Sequence, residues 1–277
     1  MAKKALCIGI NNYPGTDMDL QGCVNDATDW AGVLAERGFK VASLLDEQAT
    51  KAAMLKAMSE LIAKASKGDT LVITFSGHGT YQPDTDGDEV DGLDEALCPY
   101  DLQTNGEALT DDEIRNLFLT RKAGVRIVLI SDSCHSGTVT RAAKAEKDAD
   151  SRPRFMPMGN WLPDKMLPRN RAGKVAATMT GPAGTTPFFG AYSNKLGDLL
   201  LSGCKEGPNN FSYDARIKGR FNGAFTYYAL KALKSMKPGA NYADWHKAIA
   251  KYLPSASYPQ SPQIVGSATA RKGKIFE

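Results

Sequence analysis

Short apolar runs alternate with amphipathic segments through the first half of this 277-residue chain. Runs of this kind, bounded by turn residues, are typical of strands that are buried on both faces. They occupy residues 5–10, 39–45, 71–75 and 125–130. Between them, apolar residues such as Trp30 and Leu34 recur at helical spacing, and Thr110 with Glu113 forms a capping box that marks a helix start. Strands alternating with helices predict an α/β fold, a mainly parallel central sheet with helices on both faces.

The second half of the chain resumes this pattern after a long stretch without periodicity. Strands are predicted near 188–192, 199–201 and 263–265, and helices near 224–236 and 242–252. We therefore expect one domain, 1–277, made of two sequence halves. The halves are 1–140 and 186–277, joined by an exposed basic connector at 141–185.

Composition excludes several classes of protein. The chain has 34 Lys and Arg against 31 Asp and Glu, and a net charge of +3 is too weak to favour binding to nucleic acid. No run approaches the roughly 18 apolar residues that a membrane-spanning helix requires. The five cysteines are odd in number and form no C-x-x-C pair, which argues against a disulfide framework or a zinc site. We expect a cytoplasmic protein that does not bind membranes.

Two of the predicted strands end in residues that can carry chemistry. One strand runs into His78, flanked by Gly77 and Gly79, and another runs into Cys134. Sites on such sheets form at the carboxyl ends of strands, so neighbouring strands would bring the imidazole and the thiol together. A thiol within reach of an imidazole can be deprotonated for attack on a carbonyl carbon. The backbone amides of Gly79 and Cys134 would then face the developing oxyanion.

The other two histidines are weaker candidates for the base. His135 adjoins the cysteine, and adjacent residues in a strand-to-loop turn tend to point apart. His246 falls in an amphipathic helix, where a structural role is the simpler interpretation. His78 is therefore the predicted base, and Cys134 the predicted nucleophile.

These segments resemble the catalytic motifs of metacaspases, the caspase-like cysteine peptidases of bacteria, plants, fungi and protozoa. The resemblance rests on residues 22–27, 76–79, 86–95, 110–113, 132–137, 191–193, 202–205 and 223–226. It implies a caspase-like fold, with 1–140 as the large-subunit-like half and 186–277 as the small-subunit-like half. It also implies a dyad in which Cys134 attacks a peptide carbonyl and His78 moves protons.

Metacaspases cleave after arginine or lysine, and the sequence offers a physical reason to expect this here. Asp132 lies two residues before the nucleophile and Asp26 follows the first strand and turn, so both can line one pocket at the same sheet edge. Ser76 matches the position that adds a hydroxyl to that pocket. Carboxylates in a partly dry pocket favour a guanidinium or ammonium group. Alternatively, Asp26 is an ordinary carboxylate in the first turn of a helix.

An acidic stretch at 84–101 raises the question of calcium. Its spacing departs from the EF-hand template, which requires glycine at the sixth position. The resemblance implies calcium ligands at Asp94, Asp111 and Asp112, but Arg141 stands where the family has a further acidic ligand. Asp111 and Asp112 are equally explained as carboxylates at a helix N-terminus. The chemistry itself requires no cofactor, and calcium remains open as an activator.

The connector combines basic residues with a stretch that we expect to be accessible to proteases. Its basic residues include Arg141, Lys144, Lys147, Arg152, Arg154, Arg169, Arg171 and Lys174. An enzyme that prefers basic residues could cut itself there, or an upstream protease could release its activity, which would make the chain a zymogen. A solvated basic loop accounts for the same composition.

The favoured function is a monomeric cysteine endopeptidase that acts on proteins or peptides with basic residues. Two alternatives are weighed against it. A non-catalytic calcium-binding or scaffold protein on the same fold would have no need of both Cys134 and His78. An α/β-hydrolase with a cysteine nucleophile would have small residues two before and two after it, where Asp132 and Ser136 stand.

Overall fold

A six-stranded sheet lies at the centre of the computed structural model. The structure describes residues 1–83, 93–134, 150–167, 198–205 and 210–277. The strands of this sheet are β1 (Lys3–Gly9), β2 (Lys40–Leu45), β3 (Thr70–Ser76), β7 (Arg126–Asp132), β9 (Leu199–Ser202) and β12 (Gln263–Gly266). In the order β12-β9-β7-β3-β1-β2, neighbours are parallel except β12, which is antiparallel to β9. The predicted mainly parallel sheet is confirmed.

Helices cover both faces of this sheet, as predicted. They are α1 (Cys23–Glu36), α2 (Lys51–Ala63), α3 (Leu102–Asn105), α4 (Asp111–Leu119), α5 (Ala224–Lys234), α6 (Tyr242–Ile249) and α7 (Ala268–Lys272). Because side chains alternate along a strand, β1 contributes to two layers. Leu6 packs in a cluster with Met58 of α2, whereas Cys7 packs in a cluster with Trp30 of α1. No helix in the described ranges is both long and apolar enough to cross a bilayer.

Two small antiparallel sheets extend from the ends of the central strands. One contains β4 (Gly79–Pro83), β5 (Leu93–Leu97) and β6 (Leu109–Thr110), and the other contains β8 (Ser151–Pro153), β10 (Tyr213–Ile217) and β11 (Arg220–Gly223). Strand β4 begins directly after His78, and β11 leads directly into α5. The first of these sheets therefore begins next to His78, one of the two predicted catalytic residues.

Part of the connector is folded, which differs from the expected exposed loop. Arg154, Phe155 and Met156 are at most 4% exposed, and Trp161 packs into the core on the α2 face. The difference arises because β8 pairs with β10 and because the residues after it are apolar. The predicted strand at 188–192 and the remaining parts of the connector lie outside the described residues.

Candidate active site

The carboxyl ends of β3 and β7 bring His78 and Cys134 to one edge of the central sheet. The two strands pair in parallel, with Ser76 opposite Asp132. His78 and Cys134 each follow two residues after this matched pair, and both side chains are buried. Neighbouring parallel strands thus place the imidazole-bearing and thiol-bearing residues at the same edge, as the topology of such sheets dictates.

A backbone carbonyl orients the imidazole of His78. Its Nε2 lies 2.6 Å from the carbonyl oxygen of Met18. Because a carbonyl oxygen only accepts hydrogen bonds, we assign the ring proton to Nε2, which leaves a lone pair on Nδ1. Nδ1 is buried without a hydrogen-bond partner among the described residues. Burial lowers the pKa of His78 to about 4, although the bond to Met18 opposes this, so the ring is neutral near pH 7 and can accept a proton.

The thiol of Cys134 lies beside a second thiol. Its Sγ donates to the carbonyl oxygen of Asn210 at 3.3 Å, and the Sγ of Cys204 donates to the carbonyl oxygen of Ser133 at 3.5 Å. A hydrogen bond with Cys134, together with burial, raises the pKa of Cys204 well above its ordinary value. Cys204 is therefore held as a neutral thiol and does not compete as a thiolate.

A segment of the chain itself occupies this edge. The carbonyl oxygen of Arg154 accepts the amide N–H of Gly79 at 3.0 Å and that of Cys134 at 3.1 Å. These are the two amides that the sequence analysis assigns to the oxyanion. The amide of Arg154 donates to the carbonyl oxygen of Ser212 at 2.8 Å, and β8 pairs antiparallel with β10. The segment is therefore bound along its backbone as an added strand, a common way of binding extended peptides.

The guanidinium group of Arg154 fills a pocket lined by three carboxylates. Its Nη2 lies 2.7 Å from Asp26 and 2.9 Å from Asp214, and its Nη1 lies 3.3 Å from Asp132. All four side chains are at most 2% exposed. Burial raises the pKa of Asp26 to about 7, although Arg154 opposes the shift. The guanidinium group of Arg154 therefore supplies the positive charge that faces the three carboxyl groups and limits the rise in the pKa of Asp26.

Backbone donors hold the carboxylates in place around that cation. The amide of Gly223 donates to both oxygens of Asp26 at 3.0 Å, and the amide and hydroxyl of Thr226 donate to Asp132 at 2.8 Å. A Cβ atom at Gly223 would lie only 2.5 Å from Nη1 of Arg154. Glycine is thus the residue that leaves room for a guanidinium group here, and the pocket is preorganised for it.

The sequence analysis missed two residues of this pocket. Asp214 and Gly223 lie on β10 and β11. Gly223 falls in segment 223–226, which carries the resemblance, but it was given no role in the pocket, and Asp214 lies outside the segments quoted for the resemblance. The signal that could have found Asp214 is an aspartate within a strand, because a charged side chain there is seldom fully buried unless it has a partner. Ser76, which was expected to contribute a hydroxyl, is buried at the end of β3. Among the described residues, its hydroxyl makes no hydrogen bond to Arg154.

The expected calcium ligands do not form a metal centre in the described part of the chain. No group of three or more His, Cys, Asp or Glu side chains there is placed to hold a metal ion. Asp112 is paired with Arg115 at 2.5 Å, Asp111 begins α4, and Asp94 is buried on β5. Arg141 lies outside the described residues. Calcium as an activator therefore stays a prediction, and no catalytic step is assigned to it.

Comparison with known sequences identifies a family. Residues 3–143 match the metacaspase, peptidase C14 domain. The chain is 31% identical over 288 residues to metacaspase-1B of Aspergillus oryzae, a match that covers 95% of this chain and 67% of the relative. It is 43% identical over 287 residues to metacaspase-1B of Neosartorya fischeri, covering 95% of this chain and 68% of the relative. The chain therefore spans about two thirds of the length of these fungal relatives.

Solved structures share the fold. A Geobacter sulfurreducens protein of known crystal structure is 32% identical, has a TM-score of 0.72, and matches over 100% of this chain and 98% of its own. Caspase-1 from Spodoptera frugiperda is 13% identical, with a TM-score of 0.53 over 95% of this chain and 86% of its own. The second match confirms the expected caspase-like fold. With its family domain and its fungal relatives, this chain belongs to the metacaspase family and is a cysteine-type peptidase.

Proposed function

We propose that this peptidase cleaves polypeptides on the C-terminal side of arginine or lysine, with Cys134 as nucleophile and His78 as base. The observation that carries the proposal is the docked Arg154. Its carbonyl oxygen faces the amides of Gly79 and Cys134, while its guanidinium group faces three carboxylates. A substrate bound in the same way presents its carbonyl carbon to the thiol of Cys134.

The chemistry follows from the groups at this edge. Nδ1 of His78 takes the thiol proton of Cys134, and the thiolate attacks the carbonyl carbon. The negative charge that develops on the carbonyl oxygen is stabilised by the amides of Gly79 and Cys134. His78 then protonates the leaving amine, and a thioester to Cys134 remains. Water hydrolyses the thioester with His78 again acting as base, so these steps use no cofactor.

Arginine is the better fit of the two basic residues. The two terminal nitrogens of Arg154 reach different carboxylates at the same time, Nη2 towards Asp26 and Asp214 and Nη1 towards Asp132. The single ammonium group of lysine cannot span these positions together. We therefore expect cleavage after both residues, with arginine preferred.

The docked segment also supports cleavage of the connector by the protein itself. Because the Arg154 carbonyl oxygen accepts the amides of Gly79 and Cys134, the bond attacked in this arrangement would be the one between Arg154 and Phe155. While Arg154 occupies the pocket, no other basic side chain can enter it, so the intact chain is a zymogen. An upstream protease that cuts elsewhere in the connector is the alternative route to activation.

We propose that the protein acts as a monomer on protein or peptide substrates. A thiol nucleophile acts only in its reduced form. All five cysteines lie in the described part of the chain, and none forms a disulfide. These observations support the expected cytoplasmic location, where thiols stay reduced.

Fluorogenic peptides that end in Arg, Lys or Asp test the specificity. We expect the highest kcat/KM for Arg, a lower value for Lys, and no cleavage after Asp. Cys134→Ala should abolish turnover, a loss of at least about 10³-fold. Cys7→Ala, a buried thiol in β1 away from the site, is the matched control and should retain activity. Cleavage after Asp alone, or full activity in Cys134→Ala, would overturn the proposal.

Gel and mass analysis of the purified chain tests self-cleavage. We expect fragments 1–154 and 155–277 from the wild type and intact chain from Cys134→Ala. Arg154→Ala should lose this cut, whereas Arg152→Ala, two residues upstream, should retain it. The same two fragments from Cys134→Ala would assign the cut to another protease.

The peptide assay also tests calcium as an activator. Because the proposed steps need no metal and no group of three or more acidic ligands lies together in the described part of the chain, we expect equal rates with added calcium and with a chelator. If calcium accelerates cleavage by the wild type but not by Asp94→Asn, the result would support Asp94, Asp111 and Asp112 as calcium ligands.

A further inference from the structure

The residues after Arg154 define the other side of the cleaved bond. This inference rests on the proposed function, because it treats the Arg154 carbonyl as the group attacked. Residues that follow this carbonyl lie where the leaving part of a substrate would lie. Phe155 and Met156 therefore report on binding sites that the arginine pocket does not include.

The ring of Phe155 is buried in an apolar pocket. It is 4% exposed and packs edge to face against Tyr81, with ring centroids 6.0 Å apart and ring planes at 65°. Leu93 and Phe211 belong to the same cluster, as does the neutral thiol of Cys204. Aromatic pairs in this geometry gain free energy beyond the area that they bury. A charged side chain in such a pocket would lose its hydration without gaining a partner.

Strand β4 also binds the backbone on this side. The amide of Met156 donates to the carbonyl oxygen of Gly79 at 2.8 Å, and the hydroxyl of Thr80 donates to the carbonyl oxygen of Met156 at 2.7 Å. Nε1 of Trp161 donates to the same Thr80 hydroxyl at 3.1 Å, which orients it. The segment is therefore held in one register relative to β4. In this register the side chain of the residue after arginine, Phe155, packs against Tyr81.

We propose that Tyr81, Leu93 and Phe211 form a specificity pocket for a large apolar residue, above all an aromatic one, directly after the cleaved bond. The pocket therefore restricts the substrates to a subset of the proteins that have accessible basic residues. This subset comprises segments in which arginine is followed by Phe, Tyr, Leu or Met. Segments in which arginine is followed by Gly or an acidic residue are poor substrates.

Internally quenched peptides test this pocket. The reference is Ser-Arg-Pro-Arg-Phe-Met, which copies residues 151–156, and in its partners Leu, Gly or Asp replaces the Phe. We expect kcat/KM for the Phe peptide to exceed that for the Gly and Asp peptides by about tenfold or more, since apolar pockets discriminate on this scale. Tyr81→Ala should reduce the ratio to below about threefold, and Tyr81→Phe should preserve it. Tyr252→Ala, remote from the site, is the control and should leave the ratio unchanged.

A peptide that ends in arginine bonded to a dye separates failure of the pocket from failure of the proposed function. Equal rates for the Phe, Gly and Asp peptides, or cleavage of none of them while the dye peptide is cut, would overturn the pocket and leave arginine specificity standing. A wild-type ratio that persists in Tyr81→Ala would also overturn it. If the dye peptide is not cut either, the proposed function itself fails.

Discussion

Asp214 links the arginine pocket to the loop before α1. One oxygen of its carboxylate lies 2.9 Å from Nη2 of Arg154, and the other accepts the amide of Gln21 at 2.8 Å. The amide of Gly22 also donates to this carboxylate, at 3.0 Å. The charge is therefore fixed in position by the backbone, and it can select a cation without reorganising.

Replacing Asp214 with asparagine should weaken cleavage after arginine. Asp214→Asn keeps the size of the side chain but removes a buried charge that faces the guanidinium, which is worth about 1.5–3 kcal/mol. We expect kcat/KM for an Arg peptide to fall by about 10- to 100-fold. The exposed Asp244→Asn on α6 is the matched control. An Arg:Lys:Asp profile identical to that of the wild type would remove Asp214 from the pocket.

The lowered pKa of His78 predicts a dependence of stability on pH. Between pH 6.5, the ordinary value, and about 4, the unfolded chain binds a proton at His78 but the folded chain does not. Stability therefore falls as pH decreases through this window, by about 3 kcal/mol at most. We expect His78→Gln, in the Cys134→Ala background, to reduce this loss in chemical denaturation.

The comparison must be made between variant and parent at each pH. The pKa of Asp26 is raised to about 7, so this group stabilises the folded chain at low pH and acts in the opposite direction over an overlapping range. Subtracting the two curves isolates the contribution of His78. If the stability curves of variant and parent run parallel with pH, the pKa of His78 is not lowered in the folded chain.

At the scale of elements, helix α4 shows how a local signal sets a boundary. The hydroxyl of Thr110 accepts the amide of Glu113 at 3.2 Å, and the carboxylate of Glu113 accepts the amide of Thr110 at 3.0 Å. We expect Thr110→Ala to lower the free energy of unfolding by about 1 kcal/mol, measured by denaturation in the Cys134→Ala background. Thr120→Ala at the other end of the helix is the control, with an effect below about 0.5 kcal/mol. Equal effects at the two ends would contradict the capping role.

Local patterns predicted most of these elements because the information lies within a few residues. The apolar runs of β1, β3 and β7, and the capping box of α4, specify their structures without reference to the rest of the chain. The shared edge of His78 and Cys134 followed from a rule about parallel sheets.

Arg154 was beyond such reasoning. An arginine in a basic, aperiodic stretch is expected to be solvated, because arginine is rarely buried unless paired. Its partners, Asp26, Asp132 and Asp214, come from three separate parts of the chain. Asp26 and Asp132 were expected in one pocket, but Asp214 and Arg154 join them through the pairing of β8 with β10, and no periodicity in either segment encodes that pairing.

At the scale of the whole molecule, the two sequence halves share one sheet and one core. Strand β9 from the second half pairs with β7 from the first, and Trp245 packs against Trp30 with ring centroids 6.0 Å apart. We therefore expect a chain cut after Arg154 to remain one particle. Size-exclusion chromatography should show a single species at the volume of uncut Cys134→Ala, whereas a denaturing gel shows two bands. Separate elution of the fragments would contradict the shared core.

The two sides of the docked segment are anchored very unequally. On the side after Arg154, Met156 and Trp161 are buried in the core. On the side before it, the segment is bound by the pairing of β8 with β10 and by the side chain of Arg154. After scission, the new amino group of Phe155 would remain beside the thioester and compete with water for it. The break would be resealed until water hydrolyses the thioester. The site opens only when Arg154 leaves the carboxylate pocket and Phe155 leaves the Tyr81 pocket, so release of these two new ends, rather than breakage of the bond, times the onset of proteolysis.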